Sequence, residues 1–93
     1  MGGARLDNNI VSELIVYPNP SRDVFNISFN TDILQSISIS VVNVIGEEIY
    51  NEELTDFDGT YTHELDMTKK SKGVYFLEIS SEKGTVNSKM VLQ

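Results

Sequence analysis

Apolar residues recur at alternate positions along most of this chain, which is the period of a strand with one buried face and not the 3.6-residue period of an amphipathic helix. Residues 14–17 form a first short strand, stopped at Pro18-Asn19-Pro20, where two prolines fix φ and remove backbone donors. Phe25, Ile27 and Phe29 then face one way while Val24, Asn26 and Ser28 face the other, and Asn30-Thr31-Asp32 closes that strand. Ile37, Ile39 and Val41 alternate with Ser36, Ser38 and Ser40 in the clearest two-faced run, which continues to Val44 before a tight turn at Gly46.

Residues 47–54 lead out of that turn with Ile49 as their inward residue, and Asp58-Gly59 supplies the dipeptide of a hairpin turn. Residues 60–67 return as the next strand. After the basic loop Lys69-Lys70-Ser71-Lys72, Gly73 starts a strand with Tyr75, Leu77 and Ile79 on one face and Val74 and Phe76 on the other. Large side chains on both faces predict a central position. Lys83-Gly84 turns the chain once more into a last strand over residues 85–92. The expectation is all-β, an antiparallel immunoglobulin-like β-sandwich of about seven strands. Residues 1–12, beginning Met1-Gly2-Gly3-Ala4-Arg5, read as an expression scar and linker, and residues 13–93 as one domain.

Composition narrows the function classes. A chain of 93 residues buries only about two-thirds of its unfolded surface, which leaves little room for a deep catalytic cleft. Without cysteine there is no disulfide framework and no thiolate chemistry. A net charge of −7 argues against nucleic acid or an anionic membrane as partner. No stretch approaches the roughly 20 apolar residues that span a bilayer. Charge is also uneven: six acids and no base lie between Glu47 and Asp58, whereas three of the seven bases lie in residues 69–72. Such runs are ordinarily solvated surface; the sharper reading is a docking patch for a charged partner.

Candidate chemistry is sparse. With Gly59 at the sixth position of a calcium loop, the first and twelfth positions would be Leu54 and Leu65, which cannot ligate, so Asp56 and Asp58 read as turn acids. His63 is the single histidine and has no serine in a strained turn to activate. The pairs Glu47–Glu48 and Glu52–Glu53 project to opposite faces of a strand and cannot converge on one glycosidic bond. The sequon Asn26-Ile27-Ser28 lies inside a strand, where chance accounts for it. Neither catalysis nor a cofactor is expected.

Three segments stand out by position: Tyr17-Pro18-Asn19-Pro20-Ser21 at the start, Gly73-Val74-Tyr75 before the central strand, and Lys89-Met90-Val91-Leu92 at the end. Each by itself reads as a proline turn, a glycine-started core strand and an apolar edge strand. Together with Phe25-x-Ile27, Val41-x-Asn43-x-x-Gly46 and Leu65-Asp66-Met67, in this order over about residues 15–93, they resemble the type A C-terminal sorting domain of the type IX secretion system of Bacteroidetes. Two positions depart from that family: Asp23 stands where a glycine is common, and Asn43 where an aspartate is. The resemblance implies an address label. A cargo bearing it reaches the periplasm by a separate N-terminal signal, is carried through an outer-membrane translocon to the cell surface or beyond, and has the label removed by a surface sortase in the linker before the domain.

The sorting-motif candidates are therefore Tyr17, Pro18, Asn19, Pro20, Gly46, Gly73, Tyr75, Lys89, Met90 and Val91. The expected partners are proteins, namely translocon or shuttle components and the sortase, and the isolated domain is expected as a monomer or weak oligomer. The last strand is expected at a sheet edge, its backbone free to extend a partner's sheet while Met90 or Leu92 enters a pocket. The competing reading is a carbohydrate-binding or adhesive sandwich of a secreted enzyme. Sugar platforms favour exposed aromatic rings, and with no tryptophan in the chain only Tyr50 and Tyr61 are expected to offer them.

Overall fold

Alternation carries through into the computed structural model, which describes residues 10–93 and contains five strands: β1 (Ser12–Tyr17), β2 (Val24–Asn43), β3 (Glu48–Asp66), β4 (Gly73–Ser81) and β5 (Gly84–Leu92). Of the proposed scar and linker, residues 1–9 lie outside the described residues, whereas residues 10–12 are described and Ser12 opens β1. All strand pairs are antiparallel, in the order β1-β2-β4-β5, with β3 on the opposite edge of β2. β2 is the spine. Its first half pairs with β1 and its second half with β4, while β3 runs beside almost its whole length. β4 lies between β2 and β5, as its two apolar faces predicted.

The sheet curls so that its inner face closes on one core. Phe25, Ile27 and Phe29 from the first half of β2 and Ile37, Ile39 and Val41 from the second join Tyr75, Leu77 and Ile79 of β4 and Met90 and Leu92 of β5 in a single buried cluster. Burying each such side chain contributes roughly 1.5–3 kcal/mol. Ile10 and Val11 belong to the same cluster, so apolar packing reaches back ahead of residue 13.

Five strands replace the expected seven because two breaks in the pattern are bends and not reversals. Thr31 pairs directly with Gly59, so neither Asn30-Thr31-Asp32 nor Asp58-Gly59 turns the chain back. Residues 32–34 lie opposite Asp58 alone, and beyond the Gln35–Phe57 pair Ser36 lies opposite both Thr55 and Asp56, giving bulges on opposite strands of the same ribbon. Asp56 and Gly59 take φ of 48° and 101° there. A bulge and a hairpin turn both call for residues that tolerate positive φ, so the same composition serves either. A buried amide ties the bend, with Gln35 Nε2 donating to Ile10 O at 2.9 Å and to Thr31 Oγ1 at 2.8 Å. The reversal between β2 and β3 is at Gly46, where φ is 87°, a conformation that disfavours any side chain.

Candidate functional site

The two outer segments that stood out in the sequence meet. After β1 the chain runs through Pro18, Asn19 and Pro20, all exposed, and lies against the outer edge of β5. Asn19 Nδ2 donates to Lys89 O at 2.8 Å, and its Oδ1 accepts from Val91 N at 3.0 Å, so one side chain substitutes for a strand partner. Backbone pairing continues the contact: Ser21 N donates to Val91 O at 3.0 Å and Gln93 N to Ser21 O at 2.8 Å. Ser21 and Leu92 form an isolated parallel bridge. Asparagine suits this position because its carboxamide presents one donor and one acceptor in the spacing of a peptide group.

The third segment lies directly behind. Gly73, Val74 and Tyr75 pair with Leu92, Val91 and Met90 across the β4–β5 ladder. The Tyr75 ring is buried, and its hydroxyl donates to Ser71 O at 2.6 Å, which anchors the lysine loop. Met67 N donates to Asp23 O at 2.7 Å and Lys72 Nζ to Arg22 O at 2.9 Å, so the chain leaving Ser21 is held by the loop that precedes β4. Asp66, in the Leu65-Asp66-Met67 segment, has its carboxyl held below the usual carboxylate range by hydrogen bonds from the Thr68 hydroxyl and backbone amide.

Tyr17, Pro18, Asn19, Pro20, Gly73, Tyr75, Lys89, Met90 and Val91 are thus brought to one end of the molecule. Gly46 does not join the contact; it sits in the β2–β3 turn, three residues beyond Asn43, which pairs with Tyr75. Asn43 keeps the turn role without the charge of an aspartate. Its Oδ1 accepts from Ile45 N at 3.1 Å and Glu47 N at 2.9 Å.

Three expectations are corrected. Met90 and Leu92 are 0% and 1% exposed, locked in this protein's own core, so neither projects toward a partner. The alternation Val86, Ser88, Met90, Leu92 carried that signal. The C-terminal part of the β5 edge is not free either, since Asn19 and Ser21 occupy it. Tyr61 is only 7% exposed, whereas Tyr17 is 53% exposed. Ser21 was overlooked as a site residue: besides its backbone bonds, its buried hydroxyl donates to Val24 O at 2.5 Å and accepts from Asp23 N. Its place directly after the double proline, in a segment otherwise polar, was the available clue.

On the aromatic side of β3 the rings pack against one another. The Tyr50 ring stacks on His63 at 4.9 Å, and Tyr61 stacks on Phe29 at the same separation. Both hydroxyls donate to Glu52 Oε1, at 2.7 Å from Tyr50 and 2.6 Å from Tyr61. These bonds, Tyr61's first, hold the Glu52 carboxyl below its ordinary value, and burial followed by the Glu52 bond pushes the Tyr61 phenol up.

The structure therefore defines a small antiparallel β domain whose most developed polar contacts join residues about 70 positions apart at one exposed end. The family model of the secretion system C-terminal sorting domain matches residues 15–93, and the chain belongs to that family, the sorting domains of type IX secretion. Such domains act with the secretion machinery as the C-terminal part of a larger protein sent to the cell surface or beyond, and the family is not enzymatic in general. No curated protein matches the chain.

Proposed function

We propose that this domain directs its parent protein through the type IX outer-membrane translocon as a folded surface and not as a linear tail. The observation that supports this reading is the pair of hydrogen bonds from Asn19 to β5, which makes residues 17–21 and 89–93 one continuous patch. Its outward members are Tyr17, Pro18, Asn19, Pro20 and Lys89, with Val91 partly covered. A translocon or shuttle component reads this patch, and a surface sortase then cuts the stretch that precedes β1. Tyr75 and Met90 support the patch from inside, Gly73 opens the strand behind it, and Gly46 sets the neighbouring turn. In the same reading the curled sheet is an immunoglobulin-like sandwich: β1 with the N-terminal half of β2 and the C-terminal half of β3 forms one layer, and the other halves with β4 and β5 form the second.

The test is a periplasmic reporter fused ahead of residues 10–93 in a type IX host. Deleting residues 89–93 is expected to abolish surface display. Because that deletion also removes core residues, the deciding variant is Tyr17→Ala combined with Lys89→Ala, which touches exposed side chains only. Its purified domain is expected to melt like the parent while display drops; undiminished display would overturn the patch reading.

A further inference from the structure

A groove of about 430 Å³ lies beside the seam between residues 19–21 and β5, and none of those residues lines it. One wall is the β2–β3 turn, where Val44 and Ile45 are 69% and 78% exposed, the highest values for large apolar side chains among the described residues. The Asn43 carboxamide fixes this turn through the two bonds to Ile45 N and Glu47 N and a third, from Nδ2 to Glu47 Oε1 at 2.8 Å. The apolar pair is therefore held out in water by a braced turn, at a standing cost in hydration. The opposite wall is the loop bearing Lys69, Lys70 and Lys72, itself braced by the bonds of Lys72 to Arg22 and of Tyr75 to Ser71.

Charge and backbone point to the same occupant. The lining holds three lysines and one acid, Glu47, whose carboxylate already accepts from Asn43, on a chain whose net charge is −7. A positive island in a negative field orients an anionic partner and repels approach elsewhere. The β2–β4 ladder ends at the Asn43–Tyr75 pair because β2 turns away, so Gly73 and Val74 border the groove with no strand opposite them on that side.

We propose that this groove docks an extended acidic segment of a partner protein. An aliphatic side chain of the segment packs against Val44 and Ile45, its carboxylates face Lys69 and Lys70, and its backbone continues the ladder beside Val74. A phosphate headgroup or an anionic polysaccharide would use the lysines alone and leave the apolar pair and the vacant strand position unexplained. The inference concerns the purified domain and stands whether or not the export reading does.

The experiment is amide chemical-shift mapping on the whole 93-residue protein, with an acetylated peptide alternating glutamate and valine as probe. Shifts are expected at residues 44–47 and 69–74. Affinity is expected to fall about tenfold in the variant Lys69→Glu with Lys70→Glu, and about fivefold in Ile45→Ser, with melting unchanged in both. Raising salt weakens binding. Equal binding of a glutamate–serine peptide or of phosphatidylglycerol vesicles at the same residues would overturn the proposal in favour of a simple polyanion site. Shifts that spread elsewhere, or a double variant that binds undiminished, would also overturn it. So would sedimentation showing self-association that the lysine variant abolishes, since the occupant would then be a second copy.

Discussion

The bend in the β2–β3 ribbon and the seam that holds residues 19–21 to β5 both close this sheet, by opposite means. At the bend the contacts are largely shielded from water: Phe29 stacks on Tyr61, Gln35 bonds to Thr31, and Glu52 ties Tyr50 on one side of the bend to Tyr61 on the other. The partners lie within one strand or on the two strands of one hairpin, so less chain entropy is lost in bringing them together. At the seam the partners are 70–72 positions apart for the Asn19 bonds, which lie at the surface. Four hydrogen bonds, each worth about 0.5–1.5 kcal/mol net, hold it against a larger loop-closure cost. The lesson is that the sheet's shape comes from the buried bend. The exposed seam only positions a surface, and it is the part expected to open first.

The sharpest way to break this contrast is to hollow the core at each place. Phe29→Ala at the bend is expected to cost about 3–5 kcal/mol and Leu92→Ala at the seam about 2–5 kcal/mol by urea unfolding. Only the second should also speed amide exchange at Ser21 and Gln93 ahead of global unfolding. Exchange that rises equally in both variants would erase the distinction.

A smaller effect is expected from Gly59→Ala. The added Cβ meets no atom within 4 Å, so the cost is that of φ at 101°, about 1–2 kcal/mol, with the bend retained. Smaller still in global terms is Asn19→Ala, about 1 kcal/mol, because both lost partners face water. Its signature is local: exchange at Val91 should accelerate while the melting of the bend, followed by near-ultraviolet tyrosine signal, stays cooperative with the whole.

The slightest effect is a pH dependence at the bend. Glu52 has its folded pKa below the ordinary value of 4.5, so the stabilisation it contributes is fully present above that value and is lost as pH falls through the folded one. Glu52→Gln keeps an acceptor oxygen and removes the charge. The stability gap between wild type and Glu52→Gln is expected to be open at pH 7 and to narrow below about pH 4.5. A gap that does not change with pH would show that the two tyrosine bonds do not depend on the carboxylate's charge.

Much of the core was legible in the chain. Phe25, Ile27, Phe29, Ile37, Ile39, Val41, Tyr75, Leu77 and Ile79 are all buried as their alternation predicts. Gly46 was correctly placed in a turn, and β4 in the interior of the sheet. The bend was not legible, because Asn, Asp and Gly suit a bulge as well as a reversal. Nor was the meeting of Asn19 with Lys89 and Val91. A hydrogen bond across 70 residues leaves no periodic trace, and the segments were visible only as separate motifs.

The sequence by itself determined which side chains face inward, since period two is a property of neighbours along the chain and burial follows it at each strand. It also determined membership of the sorting-domain family, through the order and spacing of short segments. Tertiary structure alone decided that the ribbon bends there instead of reversing, because whether a glycine at positive φ bends or turns depends on what the opposite strand supplies. It alone decided that Tyr17 and Lys89 face outward on one patch. Which surface an edge strand presents is set by what the rest of the chain lays against that edge.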